Sequence, residues 1–398
     1  MTAMGQQVAR AVGTPLGTVA GMLGAGALVV VSPAVGAAGW WSVAGLALAV
    51  LVASLTAVSV ADLTAASADQ SGYLHVRDRL GVWPSRLAGV LGLTGRVVAM
   101  AAVANMITAY VAPTGSAGTI GVFTVCVIYA GHANGFWRLA PIWRAAAVVL
   151  IVTIGLLVAV GLSIHPAEHH AITQPGVAGS NEATGILTAA GVFFFAFIGL
   201  DRQQAGRART RVVSIMAAAV GLLLVLLVAL RQLGGPRLAL SPAPLRDTLA
   251  AADASSLGVL LAIGLLAGGI LALYALVEGA MEFARDMRAT GDLPAGGLLG
   301  PLVVVSAGAA AVAEFVPTGH IVALAACLVL VSYAFVNSAA RSLCRAQRST
   351  WIRTGCCGLA LSVIVAVNIS VVSLLSAVAV VLVGTLLCTL SARKADRA

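Results

Sequence analysis

Long apolar stretches separated by short polar segments run along the chain. A helix needs about 20 apolar residues to cross a membrane, and the stretches predict twelve helices. We place them near Leu16–Ala38, Trp41–Ala61, Leu87–Ala112, Ile120–Ala133, Arg144–Ile164, Ile186–Leu200, Val212–Arg231, Leu257–Phe283, Leu299–Val316, Ile321–Leu343, Trp351–Asn368 and Val371–Leu390. The sequence therefore predicts an all-α integral membrane protein with one polytopic domain over residues 1–398.

Composition agrees with this pattern and excludes a soluble protein. The chain has 398 residues, of which 60% are hydrophobic and only 9% are charged, and its mean hydropathy is +1.03. A water-facing surface needs far more charge than this.

The net charge of +9 predicts an orientation and not a nucleic-acid partner. With the N-terminus inside, all of the 23 Lys and Arg residues except Arg231, Arg237 and Arg246 fall on the cytoplasmic side. The positive-inside rule then places both termini in the cytoplasm and the protein in the cytoplasmic membrane. The basic side chains would meet anionic lipid headgroups.

Glycines interrupt two of the predicted helices at corresponding positions. Gly21, Gly24 and Gly26 fall within the first helix and Gly199 within the sixth, 175 positions after Gly24 (199 − 24). Paired interruptions of this kind indicate two inverted five-helix repeats around a substrate site at the membrane midplane. We expect repeat one at about residues 12–165, repeat two at about 186–347, and two additional helices at about 351–390. The alternative for the glycines is close helix packing through small residues.

Four motifs, in this order, resemble those of the amino acid–polyamine–organocation (APC) transporters. They are "GMLGAGAL" from Gly21, "VADLTAASADQSGYLHVRDRLG" from Val60, "FFFAFIGLD" from Phe193 and "ARDMRATGDLP" from Ala284. The resemblance covers nearly the whole chain and implies the leucine-transporter-like fold with discontinuous helices 1 and 6. In its short length the chain resembles the amino acid efflux branch of this family. It departs from the family in having a single lysine, Lys394, which excludes lysine-based coupling.

The resemblance also implies a substrate site built from backbone groups at the two breaks. Free N–H groups can hold a carboxylate and free C=O groups an ammonium. The carboxylate would meet the backbone of Gly24–Gly26, and the ammonium the carbonyls around Phe195, Ala196 and Ile198. The full predicted substrate-binding set is Met22, Leu23, Gly24, Ala25, Gly26, Met100, Phe195, Ala196, Phe197, Ile198 and Gly199.

Charged and polar positions within the helices predict a proton pathway. Asp201 follows the sixth-helix break, and we expect it to couple transport to protons or, alternatively, to pair with nearby arginines. Further candidates for a polar pathway are Arg96, with Asp201 as its expected partner, Tyr274, Glu278 and Tyr333. We also expect Glu282 to pair with Arg341.

These patterns predict a secondary active transporter that moves a small neutral or hydrophobic amino acid, coupled to protons or by exchange. The alternative is a transporter-like sensor or accessory subunit that no longer transports. An intramembrane enzyme is disfavoured because neither an HExxH nor a GxSxG motif is present. No cofactor or metal is expected. The "HPAEHH" segment from His165 fits no standard zinc spacing and is better interpreted as a solvated loop.

Overall fold

The described part of the computed structural model is helical. It comprises residues 15–67, 71–111, 140–164, 182–200, 208–293, 308–309, 311–312, 316, 318–350 and 353–395, and no strand occurs among them. The α-helices are α1 (Pro15–Val29), α2 (Val31–Ala38), α3 (Ser42–Ala66), α4 (Gly72–Leu80), α5 (Val82–Val111), α6 (Ala140–Ser163), α7 (Glu182–Phe194), α8 (Ala208–Leu233), α9 (Gly235–Leu240), α10 (Pro244–Ala251), α11 (Gly258–Ala289), α12 (Thr318–Arg341), α13 (Thr354–Val367) and α14 (Val371–Ala395).

The described helices confirm a multi-pass membrane protein. Seven helical stretches among the described residues are long and apolar enough to cross a membrane, and three shorter apolar helices accompany them. Large aliphatic side chains are exposed along α14, among them Leu375, Leu382 and Leu386. Such a surface suits lipid and not water. The helices predicted near Ile120–Ala133 and Leu299–Val316 lie wholly or largely outside the described residues.

Helix α5 lies at the centre of the packing. It contacts α11 and α12 along its length, and α4 and α14 also pack against it. Helix α1 packs between α8 and α11, and α7 packs against α3. This arrangement brings the first and sixth predicted spans together beside α8 and α11.

The two ends of the helices differ in chemistry. The end of the helix bundle where α3 ends and α5 begins carries Arg77, Arg86 and Arg341. We call it the basic end. At the opposite end, the short helices α9 and α10 cover the span ends. The Ser32 hydroxyl donates to the carbonyl of Ala239 at 3.1 Å.

Candidate functional site

The sixth predicted span breaks where the sequence indicates. Helix α7 ends at Phe194, and Phe195–Phe197 form a single 3-10 turn. Ile198 is extended with φ −60° and ψ 129°, and Gly199 has φ +92°. A positive φ is readily available to glycine because it has no Cβ atom. The helix therefore ends close to the predicted position, and the continuation expected from Asp201 lies outside the described residues.

The first predicted span is not unwound at the glycines. Gly24, Ala25 and Gly26 lie inside the regular helix α1. At Val30, between α1 and α2, the backbone stays helical with φ −96° and ψ −18°, and its carbonyl accepts from the N–H of Ala34 at 3.0 Å. The local irregularity follows from Pro33, which has no N–H to donate to the carbonyl of Val29, four residues earlier. The expectation of an unwound segment at Gly24 was therefore wrong. In a regular helix, N–H groups bond to carbonyls one turn earlier.

The glycines of α1 instead permit close helix contacts. A Cβ atom added at Gly24 would lie 2.4 Å from the carbonyl oxygen of Gly268 in α11. One added at Gly26 would lie 2.8 Å from the Cβ atom of Ala196 in the 3-10 turn and 2.7 Å from Leu222 of α8. Gly24 therefore fits the alternative interpretation, in which a small residue permits close helix packing. The predicted meeting of the first and sixth spans is also present, at Gly26 and Ala196.

Most of the predicted substrate-binding side chains are buried. Met22, Leu23, Met100, Phe195 and Phe197 are each at most 5% exposed. Leu23 packs against α8, since its Cδ2 atom would lie 2.6 Å from a Cβ atom added at Gly221. Ile198 and Gly199 differ from this set because they are partly exposed. The accessible part of the break therefore lies at these two residues.

Tyr333 of α12 contacts the break directly. Its hydroxyl accepts a hydrogen bond from the backbone N–H of Gly199 at 3.2 Å. Its ring packs edge-on against Phe194, with 5.9 Å between ring centroids. The sequence predicted Tyr333 as a polar-pathway residue, and the structure places it beside Gly199 at the end of the sixth predicted span.

The described contacts of Arg96 and Tyr274 involve residues other than Tyr333 and Gly199. The Arg96 guanidinium donates to the carbonyl of Gly92 at 2.9 Å and lies over the ring of Phe283 at 4.4 Å. Tyr274 stacks against Trp143 with ring centroids 4.4 Å apart, and Glu278 is partly exposed. Asp201, the expected partner of Arg96 and the proton-coupling candidate, lies outside the described residues.

The expected ion pair between Glu282 and Arg341 is not formed. Neither residue takes part in the ion pairs described at the same end of the helices, which join Asp292 to Arg77 and Arg86. Glu282 lies on α11 and Arg341 on α12, and both helices pack against α5. Equal spacing along two helices does not by itself place their side chains together, because the packing of the helices decides which faces meet.

A charged cluster at the basic end was not predicted. Asp292, which is fully buried, accepts from Arg77 at 2.7 Å, from Arg86 at 2.8 Å and from the Tyr73 hydroxyl at 2.5 Å. Thr290 lies 2.8 Å from the same hydroxyl. We call these five residues the Asp292 cluster. The cluster joins the second and fourth of the four sequence motifs. The motifs therefore marked these segments as important, but nothing in the sequence indicated that their side chains pair.

Burial and the neighbouring carboxylate affect the tyrosine of this cluster. Removal from water raises the pKa of Tyr73 above its ordinary value of 10.0, and the hydrogen bond to Asp292 raises this pKa further. Tyr73 is therefore neutral at physiological pH and donates its proton to Asp292. Both carboxylate oxygens have partners, as a buried charge requires.

The described residues offer no evident metal site. No group of three or more His, Cys, Asp or Glu residues that could hold an ion occurs among them.

Comparisons with known proteins bear on the fold. No family model matches the chain. Proteins named uncharacterized transporters from Mycobacterium bovis and Mycobacterium tuberculosis are 30% identical over 289 residues, which is 69% of this chain. The chain covers 64% of the length of these relatives.

Solved structures extend the likeness to almost the whole chain. Crystal structures of the Eremococcus coleocola manganese transporter align with a TM-score of 0.58 over 99% of this chain and 96% of that chain, at 12% identity. A complex of the same transporter with an aromatic bis-isothiourea substituted compound aligns with a TM-score of 0.58 at 14% identity, over 96% of this chain and 95% of that chain. The chain has a membrane-transporter fold. At such low identity the likeness concerns the fold and not the substrate.

Proposed function

We propose that the protein is a secondary active transporter of a small neutral or hydrophobic amino acid, similar to APC transporters, and that it works by proton coupling or exchange. The observation that carries this proposal is the broken end of α7, which meets α1 at Gly26 and leaves Ile198 and Gly199 partly exposed. Broken helices of this kind bind substrates through backbone groups at the membrane midplane.

The exposed side chain at the break favours an organic substrate. Ile198 is apolar and partly exposed and would suit an aliphatic side chain, while Met22, Leu23 and Phe195 are apolar but buried. Manganese, for which the solved transporter is named, prefers carboxylate, carbonyl and water ligands. The absence of a described group of three potential metal-binding side chains gives no support to manganese as the cargo.

The test is transport by the purified full chain in liposomes. Each of the standard amino acids, radiolabelled, and Mn²⁺ would be offered with and without a pH gradient, and protein-free liposomes are the control. We expect uptake of at least one neutral amino acid that a pH gradient or internal amino acid stimulates. Flux of Mn²⁺ without amino acid flux would contradict the proposal. Thermal stabilisation by an amino acid without any flux would favour the sensor.

Proton coupling is assigned to Asp201. A carboxyl group near the membrane interior is neutral when occluded and ionised when open to water, because burial disfavours the charged form. Asp201→Asn should therefore retain amino acid exchange and lose its pH dependence. Lower expression with an unchanged pH profile of the remaining flux would instead indicate a structural pairing with arginines.

A further inference from the structure

The N–H of Gly199 is a hydrogen-bond donor at an accessible position. Gly199 is partly exposed, and among the described residues no atom lies within 4 Å of the place a Cβ atom would occupy. Its positive φ turns the backbone out of the helical path. The position thus combines a hydrogen-bond donor with partial exposure.

The tyrosine that accepts from this donor belongs to a different helix and is held firmly. Tyr333 is 2% exposed, its ring is fixed against Phe194, and α12 packs along α5 and α13. The hydroxyl oxygen therefore reaches Gly199 from another helix.

The amides of Gly24–Gly26 are less suited to this role in the observed structure. They lie within α1, where helical hydrogen bonds engage the N–H groups. Gly199, by contrast, donates to a side chain that a ligand can replace.

We propose that Tyr333 competes with the substrate carboxylate for the N–H of Gly199. Without substrate, this N–H donates to the Tyr333 hydroxyl; on binding, a carboxylate oxygen takes the donor and the hydroxyl is released. Tyr333 is then a residue that sets affinity and links substrate binding to α12. This inference rests on the proposed amino acid substrate.

Binding to Tyr333→Phe tests the competition. The variant removes the acceptor and keeps the ring, so the substrate no longer has to displace a protein acceptor from the N–H of Gly199. A hydrogen bond of this kind contributes a net factor of about 2 to 10 in an equilibrium constant. We expect Tyr333→Phe to bind the amino acid found in the panel about 2- to 10-fold more tightly, and to bind the corresponding amine without a carboxyl group no more tightly than the wild type does. Unchanged or weaker binding of the amino acid would refute the competition.

Tyr110→Phe is the matched control. The Tyr110 hydroxyl also accepts from a backbone N–H, that of Leu245 at 3.1 Å, but at the opposite end of the helices. This variant loses the same kind of bond and should leave amino acid affinity unchanged. An equal gain in affinity in both variants would mean a general effect of losing a hydroxyl and would also refute the competition.

A measurement without any amino acid separates this inference from the proposed function. Hydrogen–deuterium exchange of the peptide that contains Gly199 should be faster in Tyr333→Phe than in the wild type or in Tyr110→Phe. Equal exchange in the three proteins would overturn the role of Tyr333. Faster exchange in a protein that binds no amino acid would overturn the amino acid proposal, and the carboxylate as competitor with it.

Discussion

Gly24 and Gly21 stand one turn apart in α1 but have very different surroundings. A methyl group at Gly24 would overlap the backbone of Gly268. A methyl group at Gly21 would have no atom of another described residue within 4 Å. Gly24→Ala should push α1 from α11 and lower the free energy of unfolding by about 1–3 kcal/mol. Gly21→Ala should raise it by about 1 kcal/mol because alanine favours the helix.

Thermal unfolding of the two variants in detergent checks this. Alanine favours the helix equally at both positions. The difference in unfolding midpoint between Gly24→Ala and Gly21→Ala therefore measures the effect of the contact with Gly268. Equal unfolding midpoints would contradict the close crossing.

His75 is a single residue that should make stability depend on pH. It is 2% exposed, and its Nε2 atom has no hydrogen-bond partner among the described residues. Burial lowers its pKa below the ordinary value of 6.5; Arg79 and Arg211 lower it further, and the Asp78 carboxylate opposes them. Below about pH 6.5 the unfolded chain binds a proton that the folded protein does not, so stability falls as pH decreases.

We therefore expect the unfolding midpoint to fall between pH 7 and pH 5, and to fall less in His75→Gln. His320→Gln, at an exposed position, is the control and should keep the wild-type slope. A pH slope that is the same in His75→Gln and the wild type would exclude His75 as its source.

At the scale of elements, α4 shows how a nine-residue helix is held in place. Ser71 caps its N-terminus by accepting from the N–H of Leu74 at 3.4 Å. Tyr73 and Arg77, one turn apart, both contact Asp292. So short a helix is marginal alone, and these contacts with the segment after α11 stabilise it.

Asp292→Asn should detach α4 from that segment. The substitution keeps the shape of the side chain but removes the charge that Arg77 and Arg86 share, which should cost about 3 kcal/mol. The measurement is the unfolding midpoint, together with proteolysis between Ser71 and Gly81. Asp78→Asn, an exposed carboxylate on the same helix, is the control. Equal effects of the two substitutions would show that the Asp292 cluster does not hold α4.

Sequence patterns predicted the elements unevenly. The apolar stretches gave α3, α8 and α12 to within about five residues at each end, because burial in a membrane requires long apolar runs. Helices α4, α9 and α10 were not predicted, since they are short and lie in segments that are less apolar. The end of the helix near Gly199 was predicted. The break predicted at Gly24 is absent from the structure, because the sequence does not distinguish a glycine that permits close helix packing from one that permits unwinding.

At the scale of the whole molecule, the sequence predicted a transporter-like arrangement of spans but not its long-range pairs. Arg86 and Asp292 are separated by 206 positions, and Gly199 and Tyr333 by 134. Local periodicity carries no information about such contacts, which depend on how α4, α5 and α12 pack. The predicted pair of Glu282 and Arg341 failed for the same reason.

The Asp292 cluster has a consequence for how related sequences diverge. Loss of Asp292 alone would leave two arginines in a largely buried place, and loss of both arginines would strand a buried carboxylate. Single substitutions at Asp292, Arg77 or Arg86 are therefore disfavoured, and the three residues should be kept together or replaced together. An alignment of transporters of this kind should show correlated substitution at positions 77, 86 and 292, whereas independent variation at those positions would mean that evolution does not treat them as a unit.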